Sequence, residues 1–315
     1  MLHSATGRAP AFLLLLILLC APSWAAPPAS RQQLLRVPVW VAAKEGDGAA
    51  KDFDAKVDGA EAPVVATRGP GDDLVILLVL DWTEDLGLVD TARNALIAAI
   101  EKLPPNANIA LLRAQDGLHV LSDPTSDRAA LAAAIRGVPV SGKAGFLDTV
   151  EVAARISDSL LVKAGVRVGL VYVTDSDVYN YREDFINPVI NSSDSHDMSR
   201  RFPEGLVREK ATKLQNKLAA FEAPLFIVHL AYRNDRVNEA YQGGMMQMAS
   251  GSGGASTFCR SRAEIPDAIA GIFRTIGSHY SVVLRVPERR SKTAQVELAN
   301  EGHTLTYRNR FVFEK

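Results

Sequence analysis

The chain has 315 residues, of which 47% are hydrophobic, which is enough for one large domain or two modest domains with a proper core. Its 35 basic and 36 acidic residues give a formal net charge of −1 at pH 7. A charge this close to zero gives no reason to expect nucleic acid or an anionic membrane surface as the partner.

The N-terminal residues have the pattern of a secretory signal peptide. An apolar run at residues 11–19 (AFLLLLILL) is too short to cross a bilayer, and the small residues Ser23 and Ala25 lie at the spacing that signal peptidase prefers. We therefore predict cleavage after Ala25. The mature chain would then have no transmembrane anchor and would be periplasmic or extracellular. Lipidation at Cys20 is a less favoured alternative, because the large residue Leu19 precedes it.

Cleavage at this point would leave Cys259 as the one cysteine of the mature chain. An intramolecular disulfide would then be impossible, so the core must stabilise the exported protein. We expect Cys259 to be buried as a small hydrophobic side chain.

Short segments made of strands flank a longer central region. After a polar leader at residues 26–36, residues 37–70 form a β head, in which Asp58-Gly59 favours a tight hairpin. Residues 279–315 form a β tail of alternating strands. Neither segment has enough strands for a stable sheet by itself, so we predict that head and tail pair into one small β-sandwich.

The central region, residues 72–278, alternates strands with helices, which predicts an α/β fold with a Rossmann-like, doubly wound and mostly parallel sheet. Asp90 is predicted to cap the first helix. The expected strands are 74–80, 109–114, 118–121, 166–174, 225–230 and 255–258. The expected helices are 90–103, 127–135, 146–162, 203–221, 239–249 and 263–276.

Two of these strands are continuous apolar runs that end in acidic loops. Residues 74–80 (LVILLVL) lead into Asp81, and residues 166–174 (VRVGLVYVT) lead into Asp175. Runs of this kind are typical of strands buried on both faces of a parallel sheet. Because ligands of such sheets bind outside the carboxyl ends of the strands, the two loops predict one shared site, most simply for a cation.

With these motifs in this order, residues 72–278 resemble a von Willebrand factor type A domain. The whole layout resembles the exported bacterial proteins called VWFA-related, whose β head contains a DF…DG segment, here Asp52-Phe53 and Asp58-Gly59. The resemblance implies a Rossmann-like sheet whose upper face can carry a metal-ion-dependent adhesion site. That site consists of a D-x-S-x-S loop, a Thr on a second loop and an Asp after a third strand.

The resemblance implies a degenerate version of this site. Ala144 occupies the Thr position and Asp85 the position of the second Ser, whereas Thr83 keeps a hydroxyl. The metal ligands implied for this chain are therefore Asp81, Thr83, Asp85 and Asp175.

Two outcomes stay open for the degenerate site. The extra carboxylate of Asp85 can compensate for the lost hydroxyl, so that the site holds Mg²⁺ or Ca²⁺, both of which prefer oxygen ligands. Alternatively the site is metal-free, with Lys143 offsetting the acidic residues through an ion pair. We favour weak or absent metal binding.

A long polar stretch, residues 178–202, follows the Asp175 loop and should rise over the same face. A connection of this length is usually functional or disordered, so a partner-binding loop and a mobile solvated flap are equal alternatives. Tyr and Arg are enriched in binding hot spots. The candidate partner-binding residues are Tyr179, Tyr181, Arg182 and Phe185.

The sequence carries little sign of catalysis. It has neither a G-x-S-x-G nor an H-E-x-x-H motif, and no His lies in the acidic loops to act as a general base. We therefore predict a non-catalytic exported protein-binding module, an adhesion or scaffold protein whose partner is another protein. The alternatives are a metal-independent scaffold or assembly factor and, less favoured, a divalent-metal-dependent hydrolase.

Overall fold

The structure is a computed structural model that describes residues 33–42, 52–181, 203–286 and 291–313. The predicted signal peptide lies outside these residues. Within them, no helix is both long enough and apolar enough to cross a membrane.

The described chain contains fourteen strands and six α-helices. The strands are β1 Gln33–Val41, β2 Phe53–Val57, β3 Ala60–Glu61, β4 Val64–Arg68, β5 Leu74–Asp81, β6 Ala107–Arg113, β7 His119–Thr125, β8 Arg167–Thr174, β9 Leu225–His229, β10 Ser256–Phe258, β11 Tyr280–Val286, β12 Thr293–Asn300, β13 Leu305–Tyr307 and β14 Arg310–Val312. The helices are α1 Leu86–Glu101, α2 Arg128–Gly137, α3 Phe146–Lys163, α4 Pro203–Leu218, α5 Arg236–Gly251 and α6 Ile265–Ser278.

The central sheet has six strands in the order β10-β9-β8-β5-β6-β7. All neighbours are parallel except β6 and β7. Counted along the chain, this is the order 3-2-1-4-5-6 of a doubly wound sheet, whose direction of winding reverses between β5 and β8. The predicted fold class is confirmed, and the reversal lies where ligands of such sheets bind.

Helices cover both faces of this sheet, which explains why its inner strands are apolar without alternation. Along β5, Leu78 and Leu80 pack in the cluster shared with α1, α2 and α6, whereas Leu77 and Val79 pack in the cluster shared with α3, α4 and α5. A strand covered on both sides has no face for polar residues.

One predicted helix start is wrong. Helix α1 begins at Leu86 rather than near Asp90, because the side chain of Asp85 accepts a hydrogen bond from Leu88 N at 3.0 Å. An Asp at this position caps the helix by satisfying one of its free N–H groups.

The strands that precede and follow the central region form two antiparallel sheets, in the orders β13-β1-β11-β4 and β14-β12-β2-β3. The pairs β1–β11 and β2–β12 each join a strand from before the central region to one from after it. Their inward residues, among them Val37, Phe53 and Leu284, share a separate apolar core.

A buried arginine joins the two points at which the chain enters and leaves the central region. Arg167, at the start of β8, is 1% exposed. Its Nη1 donates to Gly277 O and His279 O, each at 3.0 Å. Its Nη2 donates to Pro70 O at 2.9 Å and to Asp72 O at 2.7 Å. One guanidinium fork therefore satisfies four carbonyl groups on two chain segments.

We predict that Arg167→Lys destabilises the protein by about 2 kcal/mol or more, because a point charge with one nitrogen cannot span four carbonyls and leaves some unpaired. Urea unfolding of the variant measures this loss. The matched control is Arg155→Lys, since the side chain of Arg155 is 68% exposed and pairs with Glu151 on the surface. Equal stability of the two variants would contradict the assigned role.

Candidate functional site

The candidate site lies at the carboxyl edge of the two central strands. Asp81 is the last residue of β5 and pairs in register with Thr174, the last residue of β8. Asp175 therefore follows directly beside Asp81, at the point where the winding of the sheet reverses. Asp81 and Asp175, which the sequence analysis predicts to share one site, are adjacent in the fold.

Asp81 is fully buried, and its carboxylate binds the start of helix α3. Oδ1 accepts from Gly145 N at 3.0 Å, and Oδ2 accepts from Phe146 N at 3.2 Å. Oδ2 also accepts from the hydroxyls of Ser176 at 3.1 Å and Thr174 at 3.4 Å. Burial raises the pKa of Asp81 to about 6, against the lowering effect of these hydrogen bonds.

Asp175 is 2% exposed and holds the backbone of the loop that follows β5. Oδ1 accepts from Thr83 N at 2.7 Å and lies 3.2 Å from Thr83 Oγ1. Oδ2 accepts from Glu84 N at 3.1 Å and from Asp85 N at 2.8 Å. Three successive N–H groups of one loop therefore converge on a single carboxylate of the neighbouring loop.

The other residues of the implied metal site also make hydrogen bonds within the protein. The Asp85 carboxylate caps α1, as described above. The hydroxyl of Thr83 lies 3.0 Å from Asn180 Oδ1. Ala144 is 2% exposed, and its N donates to Asn180 O at 3.1 Å.

These residues do not fit a directly bound Mg²⁺ or Ca²⁺. A carboxylate offers about four lone-pair directions, and on each of Asp81 and Asp175 at least three of them already face backbone N–H groups or hydroxyls of the protein. Ala144 supplies no oxygen at the Thr position. Nowhere in the described part of the chain do three His, Cys, Asp or Glu side chains come together to hold a metal ion. The metal-ligand assignment stays a prediction, and so does the metal-free alternative with Lys143.

A chain of buried hydroxyls, which the sequence reasoning missed, lies beneath the two carboxylates. Ser176 Oγ lies 3.3 Å from the hydroxyl of Tyr241 on α5, and that hydroxyl lies 3.1 Å from the hydroxyl of Tyr181. Tyr181 in turn accepts from Leu147 N at 2.9 Å. Tyr241 is 60 residues away from Tyr181 along the chain, so no local sequence pattern could have paired them.

The predicted partner contact of Tyr181 is therefore wrong. Its side chain is 1% exposed, because a 3-10 turn at Val178–Tyr181 directs the ring under the site rather than above it. Tyr179 in the same turn is 46% exposed and keeps its assignment as a prediction. Arg182 and Phe185 lie outside the described residues.

His229, at the end of β9, fixes the loop of Ser176 from below. Its Nε2 lies 2.9 Å from Ser176 O, and its Nδ1 accepts from Ala231 N at 3.3 Å. A carbonyl only accepts and an amide N–H only donates, so the proton is on Nε2 and the ring is neutral. Burial lowers the pKa of His229 to about 4.

Above the carboxylates, the loops after β5, β8 and β9 expose three large side chains, which we call the loop surface. They are Leu86 at 62%, Tyr179 at 46% and Tyr232 at 40% exposure. The sequence reasoning missed Leu86 and Tyr232. The available signal was their position, since each follows the carboxyl end of a parallel strand.

Contacts between neighbouring loops hold the loop surface in place. The hydroxyl of Tyr179 donates to Asp235 Oδ1, the N-cap of α5, at 3.4 Å. The guanidinium of Arg260 lies 5.6 Å from the centre of the Tyr232 ring. The guanidinium of Arg262 lies against Gly87, in the segment after β5.

Solved structures similar to this chain include von Willebrand factor type A domains. One is a von Willebrand factor type A protein from Catenulispora acidiphila, at 12% identity over 92% of this chain and 76% of that chain, with a TM-score of 0.46. A second is the domain of the type V pili tip protein Mfa5 from Porphyromonas gingivalis, at 13% identity over 65% of this chain and 95% of that chain, with a TM-score of 0.42. A third is proximal thread matrix protein 1 from the mussel byssus, whose metal-ion-dependent adhesion site is occupied by zinc. Its identity is 10% over 70% of this chain and 49% of that chain, with a TM-score of 0.43.

No family model and no curated protein matches the chain. At these identities and TM-scores the similarity assigns no function, so the fold assignment rests on the strand order of the central sheet.

We predict that Asp175→Asn lowers the free energy of unfolding by about 2 kcal/mol, because the amide NH₂ group would face backbone N–H groups that need an acceptor. Urea unfolding measures the change. Glu84→Gln, a neighbouring and exposed position, is the isosteric control and should leave stability unchanged. A variant at Asp175 as stable as the control would show that its carboxylate does not hold the loop.

His229 generates a prediction on pH. Its pKa is lower in the folded chain than in the unfolded chain, so its contribution to stability is complete above about pH 6.5 and is lost as the pH falls through about 4. Between about pH 6.5 and about pH 4, the free energy of unfolding of the wild type should fall by on the order of 3 kcal/mol more than that of His229→Gln. The neutral amide of Gln does not titrate in this range. Unfolding at a series of pH values gives this difference. The exposed His119→Gln is the control, and parallel curves for all three proteins would contradict the prediction.

Proposed function

We propose that this chain is a non-catalytic, exported protein-binding module that engages its partner through the loop surface without a metal ion. Export rests on the signal-peptide pattern of residues 1–25. The observation that supports metal-free binding is that backbone N–H groups of the protein donate to the carboxylates of both Asp81 and Asp175.

The location and composition of the loop surface support a binding role. It lies outside the carboxyl ends of the central strands, where ligands of doubly wound sheets bind. Leu86, Tyr179 and Tyr232 expose apolar and aromatic area on one edge, and Tyr is enriched in the hot spots of protein interfaces. A surface with this composition suits a protein partner better than a small polar ligand.

The buried carboxylates would contribute to affinity indirectly. Asp175 fixes the loop that carries Leu86, and the turn that carries Tyr179 is fixed by Asp177, whose Oδ1 accepts from Tyr179 N at 2.8 Å. Binding to loops that are already ordered avoids the entropic cost of ordering them in the complex. In this account the acidic residues preorganise the surface and do not touch the partner.

A hydrolytic function has less support from the same geometry. The hydroxyl of Ser176 is fully buried and hydrogen-bonded, and the Nε2 of His229 is committed to a backbone carbonyl. Neither group can reach a substrate or exchange a proton with one at this edge. A general base must lie within hydrogen-bond reach of the proton that it removes.

The test is capture of a partner by immobilised residues 26–315 from a cell-envelope extract of the organism that encodes the chain. We predict a protein that binds equally in chelator and in millimolar Mg²⁺ or Ca²⁺. Its affinity should fall about tenfold or more for the double variant Tyr179→Ala/Tyr232→Ala, because removing two aromatic contacts costs more than 1.4 kcal/mol.

Met246→Ala, at an exposed position on α5, is the control and should bind as the wild type does. Binding that requires the metal would contradict the metal-free mechanism. Binding that is indifferent to both Tyr substitutions would contradict the assigned surface.

A further inference from the structure

A second surface, on the antiparallel sheets, has a strand edge with which no described strand pairs. Among the described strands, β4 is the last of its sheet and pairs with β11 alone, on one side. Along β4 the side chains alternate between half-buried and exposed, and Val65 is 38% exposed. No described strand pairs with the backbone N–H and C=O groups on its outer side, which form a row of donors and acceptors.

The other sheet ends in the described part of the chain are protected in the ways that natural proteins use. Strands β3, β10, β13 and β14 have two or three residues each, which is too short to template another strand. Strand β7 is longer but contains Pro124 next to Asp123. Strand β4 has five residues with neither Pro nor an acidic residue, and its one charge is Arg68 at the end.

A cavity of about 730 Å³ runs along this edge. Phe53 and Tyr280 contribute to its lining, and both are less than 9% exposed, with ring centres 5.9 Å apart. Val64 and Phe53 also line an adjoining cavity of about 990 Å³, whose other lining residues lie on β2, on β12, at the end of β3 and between β3 and β4. An extended segment beside β4 would thus find apolar side chains next to unpaired backbone groups.

The charge of the lining indicates the kind of segment that fits. Asp52 and Asp72 line the first cavity, and no Lys or Arg is among the lining residues that the structure describes. Arg68 is directed elsewhere, because its Nη2 packs against Gly165 at the turn before β8. The adjoining cavity is lined by three further acidic residues and one Lys, namely Asp54, Glu61, Glu297 and Lys56.

We propose that the outer edge of β4 takes an extended segment of a partner protein as an added strand, and that this segment alternates apolar residues with Lys or Arg. Main-chain hydrogen bonds to β4 would supply affinity, and the acidic cavities would select basic side chains. The edge of β4 and the loop surface consist of different residues, so the proposal for one surface can be wrong while the proposal for the other is right.

The probe is a fluorescent ten-residue peptide of alternating Val and Lys, titrated into residues 26–315 at low salt. We expect saturable binding that weakens as salt is added. A matched Val–Glu peptide and a peptide of the same composition with its Val and Lys residues in separate blocks should each bind about tenfold or more weakly.

Val65→Lys should weaken binding about tenfold, because a charged edge residue opposes strand addition and repels the basic peptide. Val65→Thr keeps the β-branched shape and should bind the peptide as the wild type does. This control shows whether Val65→Lys weakens binding by blocking the edge of β4 or by disturbing the fold. Val120→Lys, on β7, is the control for adding a charge at another exposed position.

Three results would overturn the proposal. They are equal binding of the Lys and Glu peptides, full binding by Val65→Lys, and a dimer of the wild-type chain in sedimentation that Val65→Lys dissociates. The last result would assign the edge to a second copy of this chain.

Discussion

Two buried carboxylates hold the carboxyl edge of the central sheet together. Asp175 accepts the backbone N–H groups of the loop after β5, and Asp81 accepts those at the start of α3. A buried carboxylate that lost these donors would be a stranded charge, which is costly in an apolar interior. The neighbouring loop therefore fixes the segment that leads to Leu86, and Asp177 fixes the turn that carries Tyr179.

The same constraint changes what the acidic residues can do. Resemblance to a von Willebrand factor type A domain implies that these positions supply oxygen ligands to a cation. In this chain Ala144 supplies none, Asp85 caps a helix, and protein N–H and O–H groups surround the remaining carboxylates. A cation and an N–H donor satisfy a carboxylate by the same electrostatics, so the protein's own donors can take the place of a metal in ordering the loops.

Sequence reasoning succeeded where the physical signal is local. The apolar runs of β5 and β8 identify strands buried on both faces, and their shared direction brings Asp81 and Asp175 together. Sequence reasoning failed where a side chain's hydrogen-bond partner is distant in the chain, and where two residues are equally able to cap a helix. Asp85 and Asp90 are both capable helix caps, and only the loop geometry selects Asp85. Tyr181 is buried because Tyr241, on a helix that comes much later in the chain, supplies its partner.

The central claim is that protein donors, rather than a cation, satisfy Asp81 and Asp175. The most direct test is the thermal unfolding of residues 26–315 in chelator and in millimolar Mg²⁺, Ca²⁺ or Mn²⁺. A ligand of the folded state at a hundred times its Kd adds about 2.7 kcal/mol, which raises Tm by several degrees. We predict no change in Tm with any of the three ions. A rise of several degrees that Asp81→Ala abolishes would contradict the account.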